Sequence, residues 1–436
     1  MNEVDIEIAG GVTRPMLRSR APGLVAYGQS HAYPWEMSAF LGAKPLFDID
    51  LRAGRALWYG RKFSAVSKLL DYLGVAATGG SGARAILALP LPAALPAAYT
   101  LVVEGRHTTA SVAAGSRPMV SLDDGTANNQ VLFFRSVGST QLSTIIKVGG
   151  TTYGGGSTTT YAPGAYVKAA VTIQSGFNRT AGMGVNLGSS GPAAGTPAVT
   201  RLVIGSGASG SPNPSYDDDI YRVTLYPVAT TDATALADLS VPAYNVVVVG
   251  DSYAAPTGGV GVAPSLCQLG WIPYLAAIGG STLTQQLGYL TAAPASVKGL
   301  GTIWWDGDNN GNGATAADLA IIQSAISQLT GPLGPDGLPR FLWIRTNRRY
   351  GSAAPALAAI DALGAAIGVA YPGHDYDPMG KLKSMGNGGS DATAVAANCC
   401  PPSLLTDGVH MFQPPMDGVI AGASDVMDGW GWRLAA

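Results

Sequence analysis

The hydrophobic pattern changes period near residue 241, and that change sets the architecture. Before it, short alternating runs recur at 99–104, 130–135, 143–148, 166–173, 201–204 and 221–226. Clusters of Gly, Ser and Asn separate them, as at 154–157 and 205–214. Alternation puts successive side chains on opposite faces, so each run predicts a strand with one face buried. Many short strands at this spacing imply an all-β jelly-roll sandwich. One helical interruption is expected at 65–73, where Val66, Leu69, Leu70 and Leu73 share a helix face.

After residue 241 the texture differs. Asn245 to Val249 is a continuous run that ends in Gly250-Asp251-Ser252. A run with no polar alternation is what a parallel strand buried on both faces requires. Further strands are expected at 301–305 and 341–345, and helices at 316–329 and 355–367. Strand and helix in turn predict a parallel sheet covered on both faces, a three-layer α/β domain. Three regions follow. Residues 1–47 form an N-terminal segment with an aromatic cluster (Tyr27, His31, Tyr33, Trp35, Phe40), able to dock on a partner or on its own chain. Residues 48–240 form the β-sandwich, and 241–436 the α/β domain.

Composition narrows the partners. Only 12% of the 436 residues are charged and the net charge is −2. There is no basic footprint for nucleic acid and no polybasic segment for anionic lipid. The longest apolar stretch, 85–103, is broken by Pro90, Pro92 and Pro96, so no membrane span is expected. The first ten residues carry Glu3, Asp5 and Glu7 and lack a signal-peptide pattern, so export would use some route other than a cleaved signal. Cys267, Cys399 and Cys400 give neither a disulfide framework nor zinc spacing. No cofactor and no metal site are expected.

In an open parallel sheet, ligands gather at the carboxyl ends of the strands. Asp251-Ser252 follows the first strand, and Asp306-Gly307-Asp308-Asn309-Asn310 follows the run at 301–305. A Gly-rich turn with Gly279 and Gly280 lies between them, and Asp407-Gly408-Val409-His410 stands near the chain end. A serine hydroxyl needs a neighbouring base before it can attack. Of the four histidines (His31, His107, His374, His410), only His410 has an acid three residues before it in a short Gly-containing loop. Asp407 would hold one ring nitrogen while the other faces Ser252. Attack on a carbonyl creates an oxyanion, and the N–H groups of Ser252 and Gly280 and the Asn309 amide are candidate donors. The Ser252 N–H is expected at a helix N-terminus.

The four segments resemble, in order and spacing, the four blocks of the SGNH (GDSL-like) hydrolase family. By that resemblance Ser252 is the nucleophile, Asp407 and His410 complete the triad, and Ser252, Gly280 and Asn309 form the oxyanion hole. The resemblance covers residues 245–436 and implies a flavodoxin-like fold. Two departures stand out. Asn310 occupies a position where the family usually has Asp, and Pro256 falls in the turn after Ser252. Matching Gly279-Gly280-Ser281-Thr282 to the family's turn favours Gly280 over Gly279.

Other features carry blander expectations. His374, between Gly373 and Asp375, reads as part of a polar loop rather than a metal site. Asp306 and Asp308 read as turn caps lining the cleft. Of Trp304 and Trp305, one should be core and the other should face the helix layer or the cleft. The acidic run Asp217-Asp218-Asp219 before the strand at 220–226 resembles the end of laminin G/concanavalin-like jelly rolls, a likeness spread over residues 80–240. That pairing of domains, with the segment 47–63, is similar to bacteriophage tail fibre or tailspike proteins. The resemblances imply a serine esterase removing O-acyl groups, O-acetyl first, from a bacterial surface polysaccharide. They imply a virion or extracellular location, other phage tail proteins as partners, and a homotrimer by analogy. Two alternatives stay open: a catalytically silent glycan-binding adhesin, and a short-chain lipase or thioesterase.

Overall fold

The computed structural model describes residues 40–50, 55–58, 87–91, 93–106, 117–136, 141–156, 166–190, 195–205, 219–255, 261–306, 309 and 315–432. The N-terminal segment before Phe40, the helix expected at 65–73, the acidic pair Asp217-Asp218, Pro256, Asp308 and Asn310 lie outside them. The chain divides into two compact units, Met1–Pro242 and Ala243–Ala436.

The strands of the first unit are β1 (Phe47–Asp50), β2 (Arg55–Trp58), β3 (Leu87–Pro90), β4 (Ala98–Arg106), β5 (Arg117–Asp123), β6 (Gln130–Arg135), β7 (Leu142–Val148), β8 (Thr151–Gly154), β9 (Tyr166–Gln174), β10 (Phe177–Gly182), β11 (Val185–Ser190), β12 (Arg201–Ile204) and β13 (Asp219–Tyr226). They form two antiparallel sheets, ordered β11-β10-β9-β4-β13-β1-β2 and β3-β12-β5-β6-β7-β8. Alternation decides what each sheet buries. Tyr99, Leu101 and Val103 of β4 join Val223 and Leu225 of β13 in one core with Leu122, Val131, Phe133 and Leu202 of the other sheet. The two inner faces therefore pack on each other as a sandwich. Each large apolar side chain buried this way contributes about 1.5–3 kcal/mol.

Val102, one step out of phase, lies on the opposite face of β4. There it packs with Ala170, Ala181, Tyr226 and Leu236. Leu236 belongs to α1 (Ala233–Leu239), which starts where the Asp232 side chain accepts from the N–H groups of Thr234 and Ala235. That helix covers part of the outer face of the seven-stranded sheet. At its β1–β13 seam, the Asp48 carboxylate is fully buried and accepts from Arg222 Nε at 2.7 Å, Arg222 Nη2 at 2.9 Å and Thr224 Oγ1 at 2.9 Å. A buried charge needs partners of this kind.

The second unit holds β14 (Val246–Gly250), β15 (Pro273–Ala277), β16 (Gly301–Trp305), β17 (Phe341–Ile344) and β18 (Asp375–Tyr376). All neighbours are parallel and the order is β15-β14-β16-β17-β18. Numbered within the sheet this is 2-1-3-4-5, the flavodoxin-like order. On one face Val247, Val249, Trp304 and Trp343 form a core with α3 (Leu283–Ala292) and α5 (Thr315–Ile326) through Leu290, Ile322 and Ile326. The alternate residues Val246, Val248, Ile303, Trp305, Leu342 and Ile344 are equally buried and point to the other face. There α2 (Val262–Gln268) packs on α9 (Gln413–Gly429), whose stripe of Met416, Val419, Ile420, Ala423 and Met427 is buried. Trp271 Nε1 donates to Ser424 Oγ of α9 at 3.0 Å.

The structure departs from the sequence expectation in several places. The strand β15 was not expected: it opens on Pro273 and contains two alanines, a weak strand pattern that an edge position tolerates. β8 falls partly in a stretch read as a separator, because Gly154 ends a hairpin strand rather than a loop. Trp304 and Trp305 are both core, on opposite faces of one fully buried strand. His374 is not in a loose polar loop; it is buried, stacks on the Phe341 ring at 4.3 Å, and its ring nitrogens meet Phe341 O and the Asp336 carboxylate.

Candidate active site

The order 2-1-3-4-5 has one point where consecutive connections leave in opposite directions, between β14 and β16. Ligands of doubly wound sheets bind in the crevice outside the carboxyl ends there. Ser252, Asn309 and the Gly279-Gly280 turn all belong to that end of the sheet.

Ser252 is carried by a turn that only glycine can open. Gly250 has φ +152°, and a Cβ there would sit 2.0 Å from Trp305 O and 2.6 Å from Ala254 Cβ. The turn closes when Ala254 and Ala255 N–H donate to Asp251 O at 3.2 and 2.7 Å. The buried Asp251 carboxylate accepts from Tyr253 N–H at 2.9 Å. Of residues 251–255, Ser252 alone is not buried. The N–H of Ser252 thus stands in a turn, not at the helix start expected from the sequence; α2 begins only at Val262.

The second segment folds back on the first. Ile278 N–H and Ser281 Oγ both donate to Gly250 O, at 3.2 and 3.3 Å. A Cβ on Gly279 would lie 3.7 Å from Ser252 Cβ, whereas one on Gly280 would meet nothing within 4 Å. Gly280 supplies the left-handed turn, φ +76°, and Gly279 lies against Ser252. The turn therefore brings Gly279 closest to the nucleophile candidate, with Gly280 next to it in the chain. Among the described residues neither glycine N–H is taken by an acceptor.

The third segment arrives through Asp251. Asn309 Nδ2 donates to Asp251 Oδ2 at 2.5 Å. Just before it, Asp306 is buried rather than lining a cleft. Its Oδ1 accepts from Gln286 Nε2 at 2.6 Å and its backbone carbonyl accepts from Thr346 Oγ1 at 2.8 Å. Gln286 is itself fully buried, accepts from Trp304 Nε1 at 2.6 Å and donates to Ser281 O at 3.2 Å. One amide thus joins the Gly279-Gly280 turn to the end of β16.

The fourth segment is a closed loop. Leu405 and Met411 bridge its base, and Thr406 N–H donates to His410 O at 2.7 Å. Inside it, Asp407 Oδ1 accepts from Val409 N–H at 2.9 Å and His410 N–H at 2.7 Å, and Oδ2 lies 2.7 Å from His410 Nδ1. The His410 N–H, the imidazole and the Val409 N–H hold the Asp407 carboxyl well below the usual carboxylate range. An ionised carboxylate can only accept, so Nδ1 donates to it, which leaves Nε2 as the accepting nitrogen of the neutral ring. Nε2 is buried and has no partner among the described residues, Ser252 Oγ included. In unliganded enzymes the nucleophile–base hydrogen bond is often long and tightens with substrate.

Ser252, Asp407 and His410 line one cavity of about 110 Å³. Tyr253, Thr406, Met411 and Met416 complete its wall. The Tyr253 ring lies 6.2 Å from the imidazole and 5.8 Å from the Trp305 ring. Sequence reasoning did not single out Tyr253, Met411, Met416 or Gln286. Tyr253 and Met411 were detectable as neighbours of Ser252 and His410; Met416 and Gln286, on helices, carry no motif.

Among the described residues no group of three or more His, Cys, Asp or Glu is arranged to hold a metal ion. Among them, too, no helix is long and apolar enough to cross a membrane. The three cysteines are buried and form no disulfide, and burial pushes the Cys400 thiol up to about 12.

No protein-family model matches the chain, and no curated protein matches it. Solved structures share stretches with it. The CBM40 domain of Ruminococcus gnavus IT-sialidase bound to α2,3-sialyllactose is 12% identical over 34% of this chain and 84% of that one, with a TM-score of 0.28. A heptameric SAP-like pentraxin from Limulus polyphemus is 12% identical over 35% and 75%, with a TM-score of 0.27. The ligand-binding domain of botulinum neurotoxin serotype D, in complex with N-acetylneuraminic acid, is 8% identical over 37% and 40%, with a TM-score of 0.30. At these TM-scores the likenesses carry no argument about this chain.

Proposed function

We propose that residues 243–436 form a serine esterase of the SGNH type, removing short O-acyl groups, O-acetyl first, from a bacterial surface polysaccharide. One observation carries the reading. A buried imidazole nitrogen without a partner, oriented by an ionised carboxylate, opens on the cavity that Ser252 lines at the switch point of the sheet. His410 Nε2 takes the Ser252 proton as Oγ bonds to the acyl carbon. The carbonyl electrons move to oxygen, toward which the N–H groups of Ser252 and Gly280 or Gly279 and the Asn309 amide would donate. Collapse breaks the bond to the sugar oxygen, which leaves with the proton from His410. Water then repeats the sequence on the acyl-enzyme. Each well-placed oxyanion donor lowers the barrier by about 2.7–4 kcal/mol.

The cavity size supports a short acyl group. The cavity of about 110 Å³ has room for an acetyl group beside Ser252, and a chain-length series of acyl esters separates this reading from a lipase or a long-chain thioesterase. Placement in a phage tail, as a homotrimer or otherwise, belongs to this proposal and not to the fold.

The second reading is glycan binding without turnover. The sialidase and neurotoxin domains named above are described with sialylated ligands, but that is a property of those proteins. The experiment is acetate release from acetylated polysaccharides, and p-nitrophenyl acetate hydrolysis, by wild type and Ser252→Ala. The esterase predicts a loss of about 10³-fold or more in the variant. Glycan retention with no acetate release establishes the adhesin instead, and equal rates in both proteins overturn the role of Ser252.

A further inference from the structure

We infer that Asp251 is a positioning residue whose buried carboxylate fixes which end of the Asn309 amide faces the reacting carbonyl. The inference rests on the esterase reading. Asp251 is fully buried, with one oxygen on Tyr253 N–H and the other on Asn309 Nδ2. Asn309 is exposed, and among the described residues its side chain has no other hydrogen-bond partner.

The two ends of an amide have nearly the same shape and opposite function: the nitrogen donates and the oxygen accepts. An exposed amide can turn over about its last bond. A carboxylate removes that freedom, because it accepts and cannot donate. With one N–H on Asp251, the second N–H of the same nitrogen is free to meet a developing oxyanion, and Asn309 Oδ1 is kept turned away from it. The same carboxylate also holds the Tyr253 N–H, so the turn carrying the nucleophile and the arm carrying the donor share one anchor. Rotation of the arm would replace a donor with a lone pair facing negative charge, a loss felt in the transition state rather than in substrate binding.

The test is a double-mutant cycle on the full chain, reading kcat and KM separately. Asp251→Asn keeps an oxygen for Tyr253 N–H but lets Asn309 adopt either orientation. Asn309→Ala removes the donor. Each is expected to lower kcat by about 10–10³-fold with KM within about twofold. The double variant is expected to be no slower than Asn309→Ala alone, since an absent amide has no orientation to lose. Multiplying losses overturn the inference, as does an unchanged kcat in Asp251→Asn or an effect confined to KM. Should Asp251→Asn not fold, Asn309→Asp at the exposed position decides. Repelled by Asp251, its carboxylate turns to the site, and kcat must fall about tenfold below Asn309→Ala; equal rates overturn the inference. No turnover by the wild type, or turnover kept in Ser252→Ala, sinks the esterase reading and this inference with it. A silent Ser252→Ala with a multiplicative cycle sinks the inference alone.

Discussion

Replacing Gln286 with Leu should unfold the α/β unit more readily than any surface change, by about 3–5 kcal/mol. The magnitude follows from its three hydrogen bonds. Leu has similar volume, so no cavity opens, and its added apolar burial returns about 1–2 kcal/mol. Against that, Trp304 Nε1, buried on its strand, loses its 2.6 Å acceptor, and Ser281 O loses its 3.2 Å donor. Each buried neutral group left unmade costs about 1–3 kcal/mol. Asp306, 1% exposed, loses the amide at 2.6 Å, and a carboxylate suffers more than a neutral group. The measurement is urea unfolding of the full chain followed by tryptophan fluorescence, comparing midpoints at constant slope. Gln286→Glu sharpens it. The new carboxyl faces Asp306, so its folded pKa is raised. The cost is therefore present at neutral pH and relieved as pH falls through that raised value. A loss below about 1 kcal/mol for Gln286→Leu, or a Gln286→Glu cost indifferent to pH, would refute the network as described.

Four further outcomes are expected. Asp407→Asn should lower kcat about 10²–10⁴-fold by releasing the imidazole tautomer. Because the Asp407 carboxyl lies below the usual range, its contribution to the loop is complete at neutral pH and lost only as pH falls through the depressed value. Hydrogen exchange should find the Val409 and His410 amides protected down to about pH 4, the ordinary carboxylate range, and release at pH 5 would contradict this. Acyl p-nitrophenyl esters should slow beyond butyrate, and Met416→Ala, which removes a buried cavity wall, should favour longer chains; a flat series would count against the cavity as the acyl site. Gly250→Ala should cost more than about 3 kcal/mol through overlap with Trp305 O, while Gly280→Ala, facing open space, should cost only its left-handed strain of about 1–2 kcal/mol. Thermal melts of the pair check the ranking.

Much of this was written in the residue pattern, and the gaps have physical causes. The β14 run was legible because burial on both faces leaves no room for polar alternation. The sandwich strands were legible from their alternation, but the cover that α1 lays over the outer face at Val102 was not. The edge strand β15 was not, since an edge needs neither continuous apolar residues nor every N–H. The Asp407–His410 pair could be read because a three-residue separation in a Gly-containing loop lets side chain and backbone meet locally. The choice between Gly279 and Gly280 could not, because it depends on how the turn folds back over Gly250. Gln286 escaped notice because an amide on a helix looks like surface until its partners, on other strands and loops, surround it. Burial of both Trp304 and Trp305 was hidden for a related reason: alternation tells which faces two residues take, not that both faces are covered.

Ser252 follows the first strand of its sheet, and His410 comes just before the last helix, α9. Nearly the whole α/β unit separates them in the chain. A ribosome therefore finishes the Ser252 turn long before the His410 loop exists, and under the esterase proposal a nascent unit ending before residue 410 would hold an inert hydroxyl. Under that proposal, hydrolysis would double as a report that the unit has folded through residue 410, because a late loop arms the turn after the first strand.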